Sequence, residues 1–584
     1  MKKKLVTYLS ILMCVFTPLI VDSQVPILEK PYDISRKAKK GYLGGIEFNK
    51  EKETFDMVYV LPSLIARKVK TEIYTYDKDL NLLNTVKEEE WLEKVRTRYR
   101  WFNFKGDRYT SKNLTASIDL KGYLVFRQKE ITYSYNWNYG CYIKTVKQLE
   151  KVKPKTDTDS KYAYKASYEV EADSNVLVIA GRTEKKTHKA FTQFDVLSCD
   201  NQVNIKTITS LEFKYPNNVY FSAPLKDENE ALSNDDSPRD WILVFAPVDL
   251  FKDDKDPKPT NYTYVRLTPQ GQLVERFNFT SPSNGWRVLG AYEKEGSVFL
   301  YGSAITKDPT EKYINKLYNL WMVPTTSASM EEKIAARTTV APTSAIGVFG
   351  MMTSFDFGST QEETDVPLDD LKYTHFQIGK ITDGKFDFII STSIEEFEKK
   401  QAKPADQKKF VAFDGKKFVV NDISFTSSGD IFISGQDFIK KDDKKIFKGI
   451  YMFQFEANGN LKKNYGVFVD QNKKKGFFSG SKLTSDMVIA KNSIFESGDG
   501  KKLYWLLRSA KTVESSEPLY GFDYGSINIA NGELSEFKTF GDDEKRDFFL
   551  FKNTSGYKMG KCVYFFSETR KGDKILLSKM DLTK

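Results

Sequence analysis

His188 and His375 are the only histidines in the 584 residues, although imidazole is the commonest general base and metal ligand near neutral pH. A Ser-His-Asp triad would have to recruit one of them. His188 lies in the polar turn Lys185–Lys189 and His375 in the strand-like stretch Tyr373–Gln377, and no Gly-x-Ser-x-Gly turn leads into a helix to present a nucleophile. One stretch begins like a calcium loop, Asp157-Thr158-Asp159-Ser160-Lys161-Tyr162, but it has Tyr162 where glycine is required and Tyr168 where the closing glutamate belongs. The expectation is no catalytic residue, no metal site and no cofactor. Acid chemistry without histidine stays open, because paired carboxylates suffice to cleave a glycosidic bond. With 79 Asp and Glu residues, the sequence selects none of them.

Aromatic side chains offer a sharper candidate. If Ile131–Gly140 is a strand, Tyr133, Tyr135, Trp137 and Tyr139 fall on one face, with Ser134, Asn136 and Asn138 on the other. Such a face can stack on a sugar or hold a protein, its tyrosine and tryptophan tips supplying hydrogen bonds. The plain alternative is packing against a neighbouring sheet. A second candidate is Arg96-Thr97-Arg98-Tyr99-Arg100-Trp101-Phe102, where Arg98, Arg100 and Trp101 are of the types enriched at interface hot spots. Its alternative is a connecting helix end with the arginines in water.

The elements that must position these residues are strands. Apolar runs recur at Met57–Leu61, Tyr123–Arg127, Val176–Ala180, Trp241–Phe245, Val298–Tyr301, Ile431–Ser434, Tyr504–Leu507 and Val563–Phe566, bounded by Gly, Asn, Asp and Lys. Hairpins of one kind follow them, as in Ile73–Leu80, Tyr264–Leu273 and Tyr451–Leu461, each an alternating strand, a polar turn and a second strand. Gly384, Gly459 and Gly532 mark such turns at intervals of 75 and 73 residues, where Asp-Gly and Asn-Gly supply the positive φ a tight turn needs. Gly271 to Gly384 spans 113 residues, which suggests an intervening unit around Leu317–Met322. Three charged stretches, Glu88–Tyr99, Pro309–Asn319 and Ser393–Ala402, predict short helices between strands, and Thr325–Pro367 reads as a loop decoration.

Repeated four-stranded units of roughly 40 to 75 residues fit propeller blades and are too long for β-helix coils. The chain resembles secreted bacterial β-propeller proteins through these recurring hairpins, which cover most of residues 40–584, although it lacks the Trp-Asp blade endings of the best-known repeat family. The resemblance implies an all-β propeller of about eight four-stranded antiparallel blades, with seven or nine also fitting. Lys574–Met580 is read as a last strand that closes the ring against Tyr42–Phe48. One propeller domain is expected over 25–584, removing the division into three or four domains of ~150 residues that length alone suggests.

Lys2, Lys3 and Lys4, the apolar run Leu5–Val21 and the small polar Asp22-Ser23-Gln24 form the pattern of a secretory signal over residues 1–24. No other segment approaches a membrane span of ~20 residues, so the mature chain is expected outside the cytoplasm, periplasmic or outer-membrane-associated, with extracellular release as the alternative. The formal charge of +10 is scattered through turns, which argues against a nucleic-acid track. Beyond Cys14 the cysteines are Cys141, Cys199 and Cys562; pairing of Cys141 with Cys199 is open, and buried thiols are the simpler reading. The functional expectation is a non-catalytic binder of an envelope protein or glycan, as a subunit of an envelope complex or alone. The competing class is a carboxylate-dependent glycosidase or lyase at the central opening.

Overall fold

A computed structural model describes residues 27–583 apart from 50, 62–67, 92–93, 95–108, 119–123, 137–140, 153–161, 171–174, 183–190, 201–203, 228–237, 248–260, 284, 306–372, 405–406, 408–410, 442–443, 468–492, 515–516, 540–547, 551–555 and 570. The described strands form seven sheets, in which all pairs are antiparallel except the short Gln401–Ala402 against Asn464 and Tyr465. In chain order, sheet I is Tyr42–Asn49, Thr54–Leu61, Lys68–Asp77 and Leu82–Trp91; sheet II is Tyr109–Ile118, Leu124–Asn136 and Cys141–Val152. Sheet III runs from Tyr162 to Thr280, sheet IV from Gly285 to Ser393, sheet V from Gln401 to Val467, and sheet VI from Ile494 to Thr539. Sheet VII joins both ends of the described chain: Ile27–Asp33 pairs along its length with Lys574–Asp581.

That pairing corrects one expectation. Lys574–Asp581 closes on Ile27–Asp33, while Tyr42–Asn49 begins sheet I. The closing strand lies so near the predicted signal that period and turns alone did not mark it.

The repeating pattern has a physical cause in the second strand of each unit. Along Trp241–Ala246, Trp241, Leu243 and Phe245 enter one core with Leu177, Phe194 and Val196, while Ile242, Val244 and Ala246 enter another with Trp286, Val288 and Leu300. Alternation here sorts side chains between two cores instead of between core and water. The same sorting recurs in Leu503–Leu507, whose odd residues face sheet V and whose even residues face sheet VII. Successive cores link sheet II to III, III to IV, IV to V, V to VI, VI to VII and VII to I. Sheets stacked in chain order, with the first strand completing the last sheet, make an all-β fold of propeller type.

Sheet III has seven strands in one hydrogen-bonded path, yet it is folded over. Tyr162–Val170 and Trp241–Pro247 stand four strands apart, ~19 Å if the sheet were flat, but the Tyr168 and Trp241 rings lie 6.0 Å apart. The bend falls in the long strand Ile205–Pro224, where partners change from Gln193 at Glu212 to Pro247 at Asn217. Pro216, which has no N–H to donate, sits at the break. Sheet III is therefore two face-packed layers sharing one strand.

Sheet IV explains the long glycine interval. Ser297–Ile305 pairs directly with His375–Thr382, so the extra length is inserted between the second and third strands of one sheet. The expected unit around Leu317–Met322, the helix Pro309–Asn319 and the decoration Thr325–Pro367 lie outside the described residues. The helix expected at Ser393–Ala402 forms over Ile394–Lys399, with Ser393 Oγ accepting from the Glu396 N–H. Of the helix expected over Glu88–Tyr99, Glu88–Trp91 is instead the end of a strand, because its pairing with Lys68–Thr71 outweighs helix propensity; Lys94 is helical, and the remainder lies outside the described residues. Among the described residues no helix is long and apolar enough to cross a membrane.

Fourth-strand hairpin turns seat on the preceding sheet. A Cβ at Gly459, whose φ is +86°, would meet Phe388 at 2.6 Å and Ile390 at 3.1 Å in sheet IV. Gly459→Ala is therefore expected to lower the urea midpoint by roughly 1–3 kcal/mol of stability at unchanged slope. An unchanged midpoint would show that this turn does not rest on sheet IV.

Candidate functional site

Antiparallel order gives each sheet two ends. First strands start, second strands end, third strands start and fourth strands end at one of them, here called the upper end; tight hairpin turns occupy the lower end. Lower-end contacts align neighbouring sheets: Ser427 Oγ of sheet V donates to Glu496 of sheet VI at 2.7 Å, and Gln454 Nε2 of sheet V donates to the Ile529 carbonyl of sheet VI at 3.2 Å. The upper ends of these aligned sheets consequently share one face. The three longest connections, 306–374, 468–493 and 92–108, leave and return there, as does 248–260, whereas 225–240 joins its strands at the lower end. Long surface connections on a rigid scaffold are where binding groups concentrate.

The described residues that flank both candidate stretches belong to this end. Tyr133 and Tyr135 lie in the last turns of register of Leu124–Asn136, opposite Lys144 and Tyr142, with Tyr133 also opposite Tyr109. No register break falls between them in the central strand of sheet II. Trp137 and Tyr139 lie outside the described residues, in the connection between Asn136 and Cys141. Arg98, Arg100 and Trp101 also lie outside them, in the connection from Trp91 to Tyr109. The described residues flanking both segments are upper-end residues of consecutive sheets.

A repeated irregularity marks the same end. Five first strands skip one residue against their partner: Gly44, Lys165, Tyr220, Leu289 and Asn421 are each passed over in the pairing. Four fall within the first five residues of their strands, and Tyr220 falls just past the bend of Ile205–Pro224, where pairing with Trp241–Pro247 begins. A β-bulge sharpens twist and re-aims the side chain it carries. Lys165 is the one charged residue of the five, and it is 5% exposed. Its Nζ lies 5.0 Å from the Phe191 ring centre, within cation–π range, and burial pushes its pKa down to about 8.

Asp437 is another ionisable group shifted toward neutrality. It sits opposite Phe418, the first residue of its neighbouring strand, and so at the upper end of sheet V. The Gly449 N–H donates to its Oδ1. Burial, reinforced by the negative charge of Asp414, pushes its pKa up to about 6, against the opposing pull of that hydrogen bond and of Lys448. A carboxyl near 6 and an amine near 8 can exchange protons at physiological pH. Sequence reasoning missed both, because a lysine in Tyr162–Tyr168 and an aspartate in Gln436–Phe438 carry no motif and their burial is a tertiary property.

The histidines and cysteines singled out in the sequence fall away from this chemistry. His375 begins its strand, with Nδ1 2.9 Å from the Thr374 hydroxyl, while His188 lies outside the described residues. Cys199 is a free, buried thiol, held by burial with a pKa of about 12. It ends a third strand at the lower end whereas Cys141 begins one at the upper end, so the two do not pair. Among the described residues no three His, Cys, Asp or Glu side chains form a metal set.

No family model matches the chain, and no curated protein matches it. Solved structures that align with it include the WD40 domain of SCAP from fission yeast, at 8% identity over 96% of this chain and 98% of that one, with a TM-score of 0.27. An α-L-arabinanase of Penicillium chrysogenum aligns at 11% identity over 72% and 93%, with a TM-score of 0.23. The periplasmic gluconolactonase PpgL of Pseudomonas aeruginosa aligns at 9% over 81% and 97%, with a TM-score of 0.26. Scores this low carry no argument; the class, an all-β protein of propeller type, rests on the strand pairing itself.

Lys165 provides a test by pH. Folded, it releases its proton near 8, against about 10.4 when unfolded, so between those values the unfolded state binds more protons and stability rises with pH. Below 8 both states are protonated and the burial cost is present in full. The expected gain across the window is on the order of 3 kcal/mol, absent in Lys165→Met, which is also the more stable protein at pH 7. Guanidinium unfolding at several pH values checks this; a flat wild-type profile contradicts it.

Proposed function

We propose that the chain is an exported, non-catalytic propeller of about eight blades, counting the two layers of sheet III separately, which binds a protein or glycan partner at the cell envelope. The observation that supports this reading is that the described residues flanking the two aromatic-rich segments and the three longest connections lie at the upper ends of their sheets. Tyr135, Trp137, Tyr139, Arg98, Arg100 and Trp101 supply the types that dominate binding hot spots, and no membrane-crossing helix occurs among the described residues. Periplasmic or outer-membrane-associated residence follows from the secretory pattern at residues 1–24.

The test is binding of the purified full chain to detergent-solubilised envelope proteins and, separately, to a glycan array. Trp137→Ala with Tyr135→Ala is expected to weaken the interaction at least tenfold with an unchanged melting temperature. Unaltered binding by this variant and by Arg98→Ala with Arg100→Ala refutes the assignment to this end.

Asp437 favours a second reading, a carboxylate-dependent glycosidase or lyase. A carboxyl held protonated to about 6 suits a general acid. On this reading, incubation with envelope polysaccharides yields reducing ends with a rate falling above pH 6, and Asp437→Asn abolishes it at unchanged stability. No cleavage by the wild-type chain leaves the binding function standing.

A further inference from the structure

Between Ile27–Asp33 of sheet VII and Tyr42–Asn49 of sheet I the chain makes one short helix, Arg36–Lys40. It follows Asp33, which pairs with Lys574 at the upper end of sheet VII, and precedes Tyr42, the upper-end start of sheet I. Arg36, Lys37, Lys39 and Lys40 are all exposed, and only Ala38 is buried. Helix stability does not account for these charges. Arg36 and Lys37 open the helix, where the backbone dipole disfavours cations, and no acidic residue occupies its first turn. The helix is held by other means: the Ser35 hydroxyl accepts from the Ala38 N–H at 3.1 Å and donates to the buried Glu72 at 2.7 Å. Gly41 ends it against sheet I so closely that a Cβ would lie 1.9 Å from the Val60 carbonyl oxygen. The four cations stand on a fixed platform, so little ordering is lost when they meet a ligand.

The patch extends onto sheet VII. The Ile34 N–H donates to the Asp573 carbonyl at 3.1 Å, Lys39 lies 3.7 Å from the Asp573 carboxylate, and Lys571 adds its charge at the same carboxylate. Lys574 lies 3.9 Å from Asp33. Arg36, Lys37 and Lys40 make no ion pair with any described residue. Against these six cations stand Asp33, Glu568 and Asp573, which leaves a surplus of three on one small area.

The surroundings select the kind of partner. No large apolar side chain is exposed among the described residues of 33–40 and 567–574. A protein partner draws its affinity from buried apolar and aromatic anchors, and a lipid surface holds a protein firmly only when apolar insertion adds to basic attraction. A chain of acidic sugars needs only spaced cations, and the aromatic-rich segments of the proposed function supply the rings on which sugars stack. We infer that Arg36–Lys40, with Lys571 and Lys574, forms a binding surface for the carboxylates of an anionic polysaccharide. This deepens the glycan reading and rests on it for the class of partner.

The probe is fluorescein-labelled polygalacturonate, with neutral dextran as control. Polygalacturonate is expected to bind the full chain by fluorescence anisotropy at low salt and to be released as salt rises. Arg36→Gln with Lys37→Gln and Lys40→Gln weakens binding at least tenfold, and the single Lys37→Glu weakens it in the same direction. Lys385→Gln with Lys558→Gln and Lys561→Gln removes equal charge from exposed lysines toward the lower end and leaves binding unchanged. Absence of polygalacturonate binding, equal loss in both triple variants, or tighter binding of poly-glutamate or of phosphatidylglycerol vesicles overturns the assignment. Dextran bound as tightly as polygalacturonate also overturns it while leaving glycan binding standing. Melting temperatures of all variants separate these outcomes from misfolding.

Discussion

A strand whose two faces are both apolar cannot rest against water on either side. Trp241, Leu243 and Phe245 are buried in one core and Ile242, Val244 and Ala246 in the next. Stripping the first neighbour alone would expose three large side chains at roughly 1.5–3 kcal/mol each. That loss, about 5–9 kcal/mol, matches the net stability of a whole domain at ~5–15 kcal/mol. No sheet of this kind is stable singly, so the sheets must stack, and an open stack would leave its terminal faces wet. Pairing of Ile27–Asp33 with Lys574–Asp581 draws the two ends together.

Stacking alone does not fix which way each sheet points. That is set by turns resting on neighbours. Tyr564 of sheet VII donates to the Lys78 carbonyl in the turn of sheet I at 2.9 Å, and Thr209 in the first layer of sheet III donates to the Gly271 carbonyl in the turn of the second at 2.9 Å. Gly271, Gly429 and Gly459 hold equivalent turns with positive φ; Leu80 does so without glycine, at +63°. Its side chain is wholly buried with Phe55, Tyr76 and Tyr564, so packing holds a backbone conformation that leucine otherwise avoids. With most tight turns committed to the lower end, the three longest connections fall at the upper one.

The polar groups inside the stack follow the same division. At the lower end Gln454 binds Asp430 and the Ile529 carbonyl while accepting from Tyr465, a satisfied network that joins two sheets. Near the upper end Lys165 and Asp437 are buried by bulges in the strands that carry them or pair across from them. Those bulges break the register that the rest of each strand keeps, and their ionisation is displaced as a result. Function is thus expected where the repeat is least regular.

The fold class was written in the chain because burial on two sides leaves an uninterrupted apolar signature. The eight apolar runs singled out from the sequence lie in strands paired on both sides, apart from Tyr123, which lies outside the described residues. Glycine turns were equally legible, since positive φ restricts residue choice at Gly384, Gly459 and Gly532. Three-dimensional structure alone decided the closing partner of Lys574–Asp581, the folding-over of sheet III at Pro216, and the burial of Lys165 and Asp437. Each of these depends on contacts between residues far apart in the chain, and local periodicity holds no record of which distant surface a side chain will meet.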